Sequence, residues 1–115
     1  MRVLDKRLVE IYRDKYGFEP YTEWINSLVD WKIKARIEQR LRRVEQGNLG
    51  DYKSLGGGIF EFRFDFGSGY RVYFGKKQEK LIILLIGGDK STQKKDIISA
   101  KTYWDEYKEG KNEKV

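Results

Sequence analysis

Arg63 and Arg71 flank a glycine-rich turn, Gly67-Ser68-Gly69, and Lys90 follows a Gly87-Gly88 pair further along the chain. Residues of these types can bind a phosphate and stabilise negative charge that develops on it. The planar arginine fork holds two phosphate oxygens while staying charged. A lysine beside a helix start adds backbone N–H groups and a dipole that attract anions, and glycines let backbone approach a ligand closely. The chain contains neither histidine nor cysteine. That excludes a histidine-pair nuclease, Ser-His-Asp and Cys-His hydrolases, thiolate zinc sites and disulfides. Any catalysis must draw on Lys, Arg, Asp, Glu or Tyr.

The elements that would position this set follow from hydrophobic pattern. Residues 59–66 alternate strictly, with Phe60, Phe62, Phe64 and Phe66 against Glu61, Arg63 and Asp65. If the turn residues are unpaired, Phe66 faces Tyr70, Phe64 faces Val72 and Phe62 faces Phe74 across a hairpin. All apolar residues then share one face, which a one-residue slip would scramble. The other face presents Asp65 opposite Arg71, Arg63 opposite Tyr73, and Glu61 beyond. Two readings of that open face stand together. It is a solvated surface with cross-strand ion pairs, each contributing roughly 0.2–1 kcal/mol, or it is a phosphate-binding floor to which Lys90, Lys53 and the basic second helix add charge.

The flanking elements are legible too. Residues 3–12 suit an edge strand. Pro20 opens a helix carrying Trp24, Ile25, Leu28 and Val29. Asp30 caps a second helix with the stripe Ile33, Ile37, Leu41 and Val44, stopped by Gly47. The continuously apolar residues 81–86 suit a strand covered on both faces. A last helix, capped by Ser91 or Thr92, sets Ile97, Ala100, Lys101 and Trp104 on one side and ends at Gly110. The expected architecture is α+β: four or five strands in a twisted antiparallel sheet, two N-terminal helices and one C-terminal helix, packed on one face. A chain of 115 residues makes one domain, 1–115, with residues 109–115 as a charged tail. With 24 Lys and Arg against 18 Asp and Glu, the net charge of +6 favours a polyanion such as nucleic acid. No apolar run nears a membrane span and the first residues lack a signal peptide's apolar region, so a cytoplasmic protein is expected.

Several stretches carry a resemblance. They are Glu23-Trp24-Ile25, Ala35-Arg36-Ile37-Glu38-Gln39-Arg40-Leu41-Arg42-Arg43, Gly47-Asn48-Leu49-Gly50-Asp51, the segment from Glu61 through Arg63-x-Asp65-x-Gly67-x-Gly69-Tyr70-Arg71 to Phe74, and Gly87-Gly88-Asp89-Lys90-Ser91-Thr92-Gln93. Together, over residues 10–108, they resemble the HigB-type killer proteins of the RelE/ParE toxin superfamily. The resemblance implies the toxin of a type II toxin–antitoxin pair. Its partners would be a protein antitoxin, of helix-turn-helix type, and messenger RNA on the ribosome. It implies RNA cleavage by the substrate's own 2′-hydroxyl, leaving a 2′,3′-cyclic phosphate, with neither metal nor cofactor. Arg71 would then clamp the phosphate with help from Arg63, and Lys90 would bind it or protonate the leaving oxygen. Lys53 and Tyr73 would contact RNA, and Glu61 would be a base. Well-studied relatives place a tyrosine or histidine near the C-terminus for proton transfer; Tyr103 and Tyr107 have no clear match to it. Two alternatives stay open: a ParE-like inhibitor of DNA gyrase that cleaves nothing, and a non-catalytic RNA- or ribosome-binding module.

Overall fold

The computed structural model describes residues 8–78 and 81–113. Strand β1 (Leu8–Ile11) is followed by helices α1 (Pro20–Ser27) and α2 (Trp31–Glu45). Strands β2 (Tyr52–Gly56), β3 (Ile59–Arg63), β4 (Arg71–Lys77) and β5 (Leu81–Gly88) come next, and after a 3₁₀ turn at Lys90–Thr92 the helix α3 (Gln93–Glu113) closes the chain. The sheet order is β1-β5-β4-β3-β2. The fold is α+β, as expected, but the sheet is mixed: β1 lies parallel to β5, and the other pairs are antiparallel. A strand joined to the rest of the sheet through two helices can lie in either direction, and residue alternation does not distinguish the two. Of the expected first strand, residues 3–7 lie outside the described residues.

The first helices form where their signals stand. Pro20 occupies the first turn of α1, and the Asp30 carboxylate accepts the Lys32 N–H at 2.9 Å to cap α2. Ile37, Leu41 and Val44 of α2 are buried with Tyr21 and Ile25 of α1 against Phe62, Phe64, Val72, Phe74, Ile82 and Leu84. The phenylalanine face of the hairpin is thus covered, Phe62 stacking on Phe74 at 4.0 Å between centroids.

The opposite face is covered as well. Helix α3 packs there, burying Ala100 and Trp104 with Ile59, Tyr73, Ile83 and Leu85. The expectation that all helices share one face is therefore corrected. Glycine makes this packing possible: a Cβ on Gly75 would fall inside the Trp104 ring, and one on Gly87 inside that of Trp24 on the other side. The indole N–H of Trp104 donates to the Gly57 carbonyl at 3.1 Å. Helix α3 does not stop at Gly110 but continues through Glu113, into the segment expected as a tail. Glycine costs a helix interior only about 1 kcal/mol relative to alanine, too little to stop it here.

The hairpin register also differs. Arg63 faces Arg71, Glu61 faces Tyr73, Phe62 faces Val72 and Phe60 faces Phe74. The shift from expectation is two residues, which leaves every side chain on its expected face. Hydrophobic pattern has period two and cannot see such a shift; the turn decides it. Strand β3 ends at Arg63, one further bond joins the Phe64 N–H to the Tyr70 carbonyl at 3.0 Å, and residues 65–69 form the loop.

Candidate phosphate-binding cleft

An open cleft of about 600 Å³ lies at the end of β3 and β4, lined by Asp51, Arg63, Asp65, Arg71, Lys90 and the loop glycines Gly67 and Gly69. Arg63 and Arg71 enter it as direct cross-strand partners. Lys90 reaches it because the loop docks on the 3₁₀ turn. The Lys90 N–H donates to the Ser68 carbonyl at 3.3 Å, and the Ser68 hydroxyl to Asp89 Oδ2 at 3.4 Å. Gly69 has φ +75°, and a Cβ there would sit 3.3 Å from Lys90 Cβ and 3.6 Å from Arg71 Nη1. Glycine at 69 thus lets the loop pass between the two cations.

Like charges directly opposite each other in a sheet repel, and this pair carries a further cost. Arg63 Nε and Arg71 Nε are both buried and without a hydrogen-bond partner among the described residues. A buried unsatisfied donor costs about 1–3 kcal/mol, more when charged. Arg71 Nη1 donates to the carbonyls of Gly69 at 3.1 Å and Tyr70 at 3.3 Å, which fixes its guanidinium. Arg63 Nη2 donates to Asp51 Oδ1 at 3.1 Å. The expected pair between Asp65 and Arg71 does not form, because the two-residue shift moves Asp65 into the loop.

The turn that carries Lys90 is capped by Asp89, with Thr92 completing a capping box. Its carboxylate accepts Ser91 N–H at 2.9 Å and Ser91 Oγ at 2.6 Å, while Thr92 Oγ1 accepts the Asp89 N–H at 3.2 Å. These hydrogen bonds hold the Asp89 carboxyl below its ordinary pKa. Gly87 and Gly88 make room for protein, not ligand: Trp24 lies over the first, and Asp96 and Thr92 over the second.

Other residues singled out from the sequence lie elsewhere. Glu61 and Tyr73 are on the same sheet face as the arginines but one row along, buried under α3. Glu61 accepts a hydrogen bond from Gln93 Nε2 at 3.2 Å. Burial, reinforced by Glu61 and Asp96, raises the Tyr73 hydroxyl well above the usual tyrosine pKa. Both are removed from an open floor by the helix that was expected on the other face. Lys53 is exposed on β2 opposite Glu61 and does not line the cleft. Tyr103 packs against Tyr12 at 5.2 Å and Tyr107 against Trp104 at 5.5 Å between centroids, so neither enters the cleft.

A larger recess, about 940 Å³, lies between the segment after β1 and the end of α3. Four carboxylates line it, Glu10, Asp14, Glu106 and Glu109, against the cations Arg13 and Lys15. Its charge repels a polyanion, so the smaller basic cleft is the better candidate despite its size.

The sequence profile of the family described as phage derived protein Gp49-like (DUF891) matches residues 23–111, which contain the whole cleft. The chain belongs to this family. It is also 51% identical over 81 residues to an uncharacterized protein of Haemophilus influenzae, an alignment covering 70% of this chain and 82% of that one. In this Gp49-like protein no described helix is long and apolar enough to cross a membrane. Among the described residues no three His, Cys, Asp or Glu side chains gather as a metal site would require.

Two residues that shape the site, Arg40 behind the cleft and Asp51 in its lining, have no signal in the sequence. Arg40 reads as one basic residue among several on α2. It lies over Phe64 at 4.6 Å and donates to the carbonyls of Arg63, Leu49 (3.2 Å) and Asp51, tying α2 to β3 and to the loop before β2. Burial lowers its pKa from the ordinary arginine value. Asp51, twelve positions before Arg63, reads as a loop residue, and only the fold brings them together.

Proposed function

We propose that this Gp49-like protein is a toxin of the RelE/HigB kind, the toxic half of a type II toxin–antitoxin pair, and that it cleaves messenger RNA without a metal. One observation carries the reading: two arginines that face each other across β3 and β4 open into a cleft that Lys90 enters from a separate element. An anion with several acceptor oxygens would relieve the cross-strand repulsion. A phosphodiester does this, and its charge grows when the 2′-oxygen attacks.

The step is in-line. The 2′-O–P bond forms, the bond from phosphorus to the 5′-oxygen breaks, and the products are a 2′,3′-cyclic phosphate and a free 5′-hydroxyl. Arg71, held by two carbonyls, is preorganised toward the phosphorane oxygens, and Arg63 faces it from the next strand. Lys90 is the group that can hand a proton to the leaving oxygen. Glu61 is unsuited as base because α3 covers it; the carboxylates that reach the cleft are Asp51 and Asp65.

Primer extension on messenger RNA incubated with the protein, with and without ribosomes, tests the reading. New 5′-hydroxyl ends are expected, with Arg71→Ala slower by about 10²–10³-fold and still folded. No new ends in either condition would overturn it. RNA binding without cleavage is the second reading, favoured by one observation: neither tyrosine nor histidine lines the cleft.

A further inference from the structure

We propose that Asp51 occupies the cleft in place of a ligand phosphate, and that a phosphodiester must displace its carboxylate from Arg63 in order to bind. The inference rests on the cleft being a phosphate site, and it assigns that site an internal competitor.

The placement of Asp51 is built into the fold. Its carbonyl accepts the Arg63 N–H at 3.1 Å and also a hydrogen bond from the Arg40 guanidinium. Gly50, at φ +66°, bends the chain tightly round Arg40, where a Cβ would lie 3.1 Å from Nε. The backbone of Asp51 is therefore pinned to β3 and α2, while its side chain is 60% exposed and free to turn away. Its carboxylate touches Arg63 through Nη2 alone and leaves Nε without a partner. Once the carboxylate swings out, a phosphate can engage the guanidinium with two oxygens, as the fork geometry of arginine favours. The exchange replaces one charge-assisted hydrogen bond by two.

Such a contact has a functional consequence. Arg63 is kept from isolated weak anions, and the cleft opens fully to ligands whose phosphate is delivered alongside other contacts, as on an RNA chain. Exposed ion pairs of this kind contribute about 0.2–1 kcal/mol, so freeing Arg63 should tighten binding roughly 1.5- to 5-fold.

The test uses the full chain and fluorescence anisotropy with a labelled 2′-O-methyl RNA octanucleotide, which cannot be cleaved, and inorganic phosphate as competitor. Asp51→Asn should tighten binding by the factor above, with Asp51→Ser as a second neutral variant and melting curves checking the fold. The gain should vanish in an Arg63→Ala background. It should also exceed that of Asp65→Asn, which removes the same charge from the same cleft without touching either arginine. No gain, a gain that survives loss of Arg63, or an equal gain from Asp65→Asn overturns the proposal while leaving the cleft reading intact, provided wild type binds. If neither wild type nor the Asp51 variants bind the oligonucleotide, the cleft reading fails and this inference with it. In wild type itself, the oligonucleotide should shift the NMR signals of Arg63 Nε–H and the Asp51 carboxylate carbon together; movement of Arg63 with Asp51 unchanged also overturns it.

Discussion

The salt dependence of RNA binding counts the phosphates that the cleft neutralises. Three cations line it, Arg63, Arg71 and Lys90, and in the proposed step they address a single phosphodiester. One neutralised phosphate is therefore the expected count. Each neutralised phosphate of a single strand contributes about −0.7 to the slope of log K against log salt, so the wild-type slope should be about −0.7. Raising salt from about 50 to 200 mM should then weaken binding by roughly 2.6-fold. Arg71→Ala should flatten the slope, and Asp51→Asn, by removing a carboxylate that takes up a cation when it is displaced, should steepen it. Anisotropy titrations of an uncleavable oligonucleotide at four or five salt concentrations measure all three. A wild-type slope near zero would refute a phosphate cleft. A slope steeper than about −4 would show that RNA runs over cations elsewhere on the surface. An unchanged slope in Arg71→Ala would remove that residue from the interface.

Gly75→Ala should destabilise the fold by about 1–3 kcal/mol, a fall in Tm of roughly 4–15 °C for a chain of this size, because the new methyl group collides with Trp104; combining it with Trp104→Leu should recover part of the loss. An unchanged Tm would mean that α3 does not pack on this face. Alkaline titration followed by phenolate absorbance should show Tyr12, Tyr21 and Tyr73 remaining protonated after the exposed tyrosines ionise, since burial raises all three, with Glu106 adding to it at Tyr12. Their folded pKa values lie above the unfolded value of about 10, so this contribution to stability is intact below that pH and is lost as pH rises beyond it; normal titration of all eight tyrosines without unfolding would contradict the burial.

The parts of this molecule that sequence exposes are those written in local chemistry. Pro20 and the Asp30 carboxylate start their helices where their types suggest, and the phenylalanine alternation of β3 marks the face that α1 and α2 cover. What stays hidden depends on long-range packing. The row Glu61–Tyr73 reads as open because its residues are polar, yet Gly75 and Gly88 on the same face are the gaps into which α3 settles. A glycine in a strand reads equally as a place for a ligand, a bulge or a side chain from above, and nothing local separates these. The two-residue register shift is hidden for a related reason: period-two patterns are identical before and after it. Strand β2 carries no signal of its own, because Tyr52-Lys53-Ser54-Leu55-Gly56 is mostly exposed and has no apolar alternation.

The cleft itself is a product of that hidden packing. Arg63 and Arg71 share a face by strand periodicity alone, so their convergence needs only the hairpin. Lys90 is different. Its position follows from where α3 can begin, and that is set by Asp96 and Thr92 fitting over Gly88 and by Trp104 fitting over Gly75. The Ser68 carbonyl then receives the Lys90 N–H and locks the hairpin loop to the helix start. A glycine pair that looks like ligand-facing backbone thus acts at one remove, by seating the helix whose first turn carries the third cation. Enlarging Gly88 should consequently injure the cleft through Lys90 while leaving the two arginines in register, because β3 and β4 pair independently of α3.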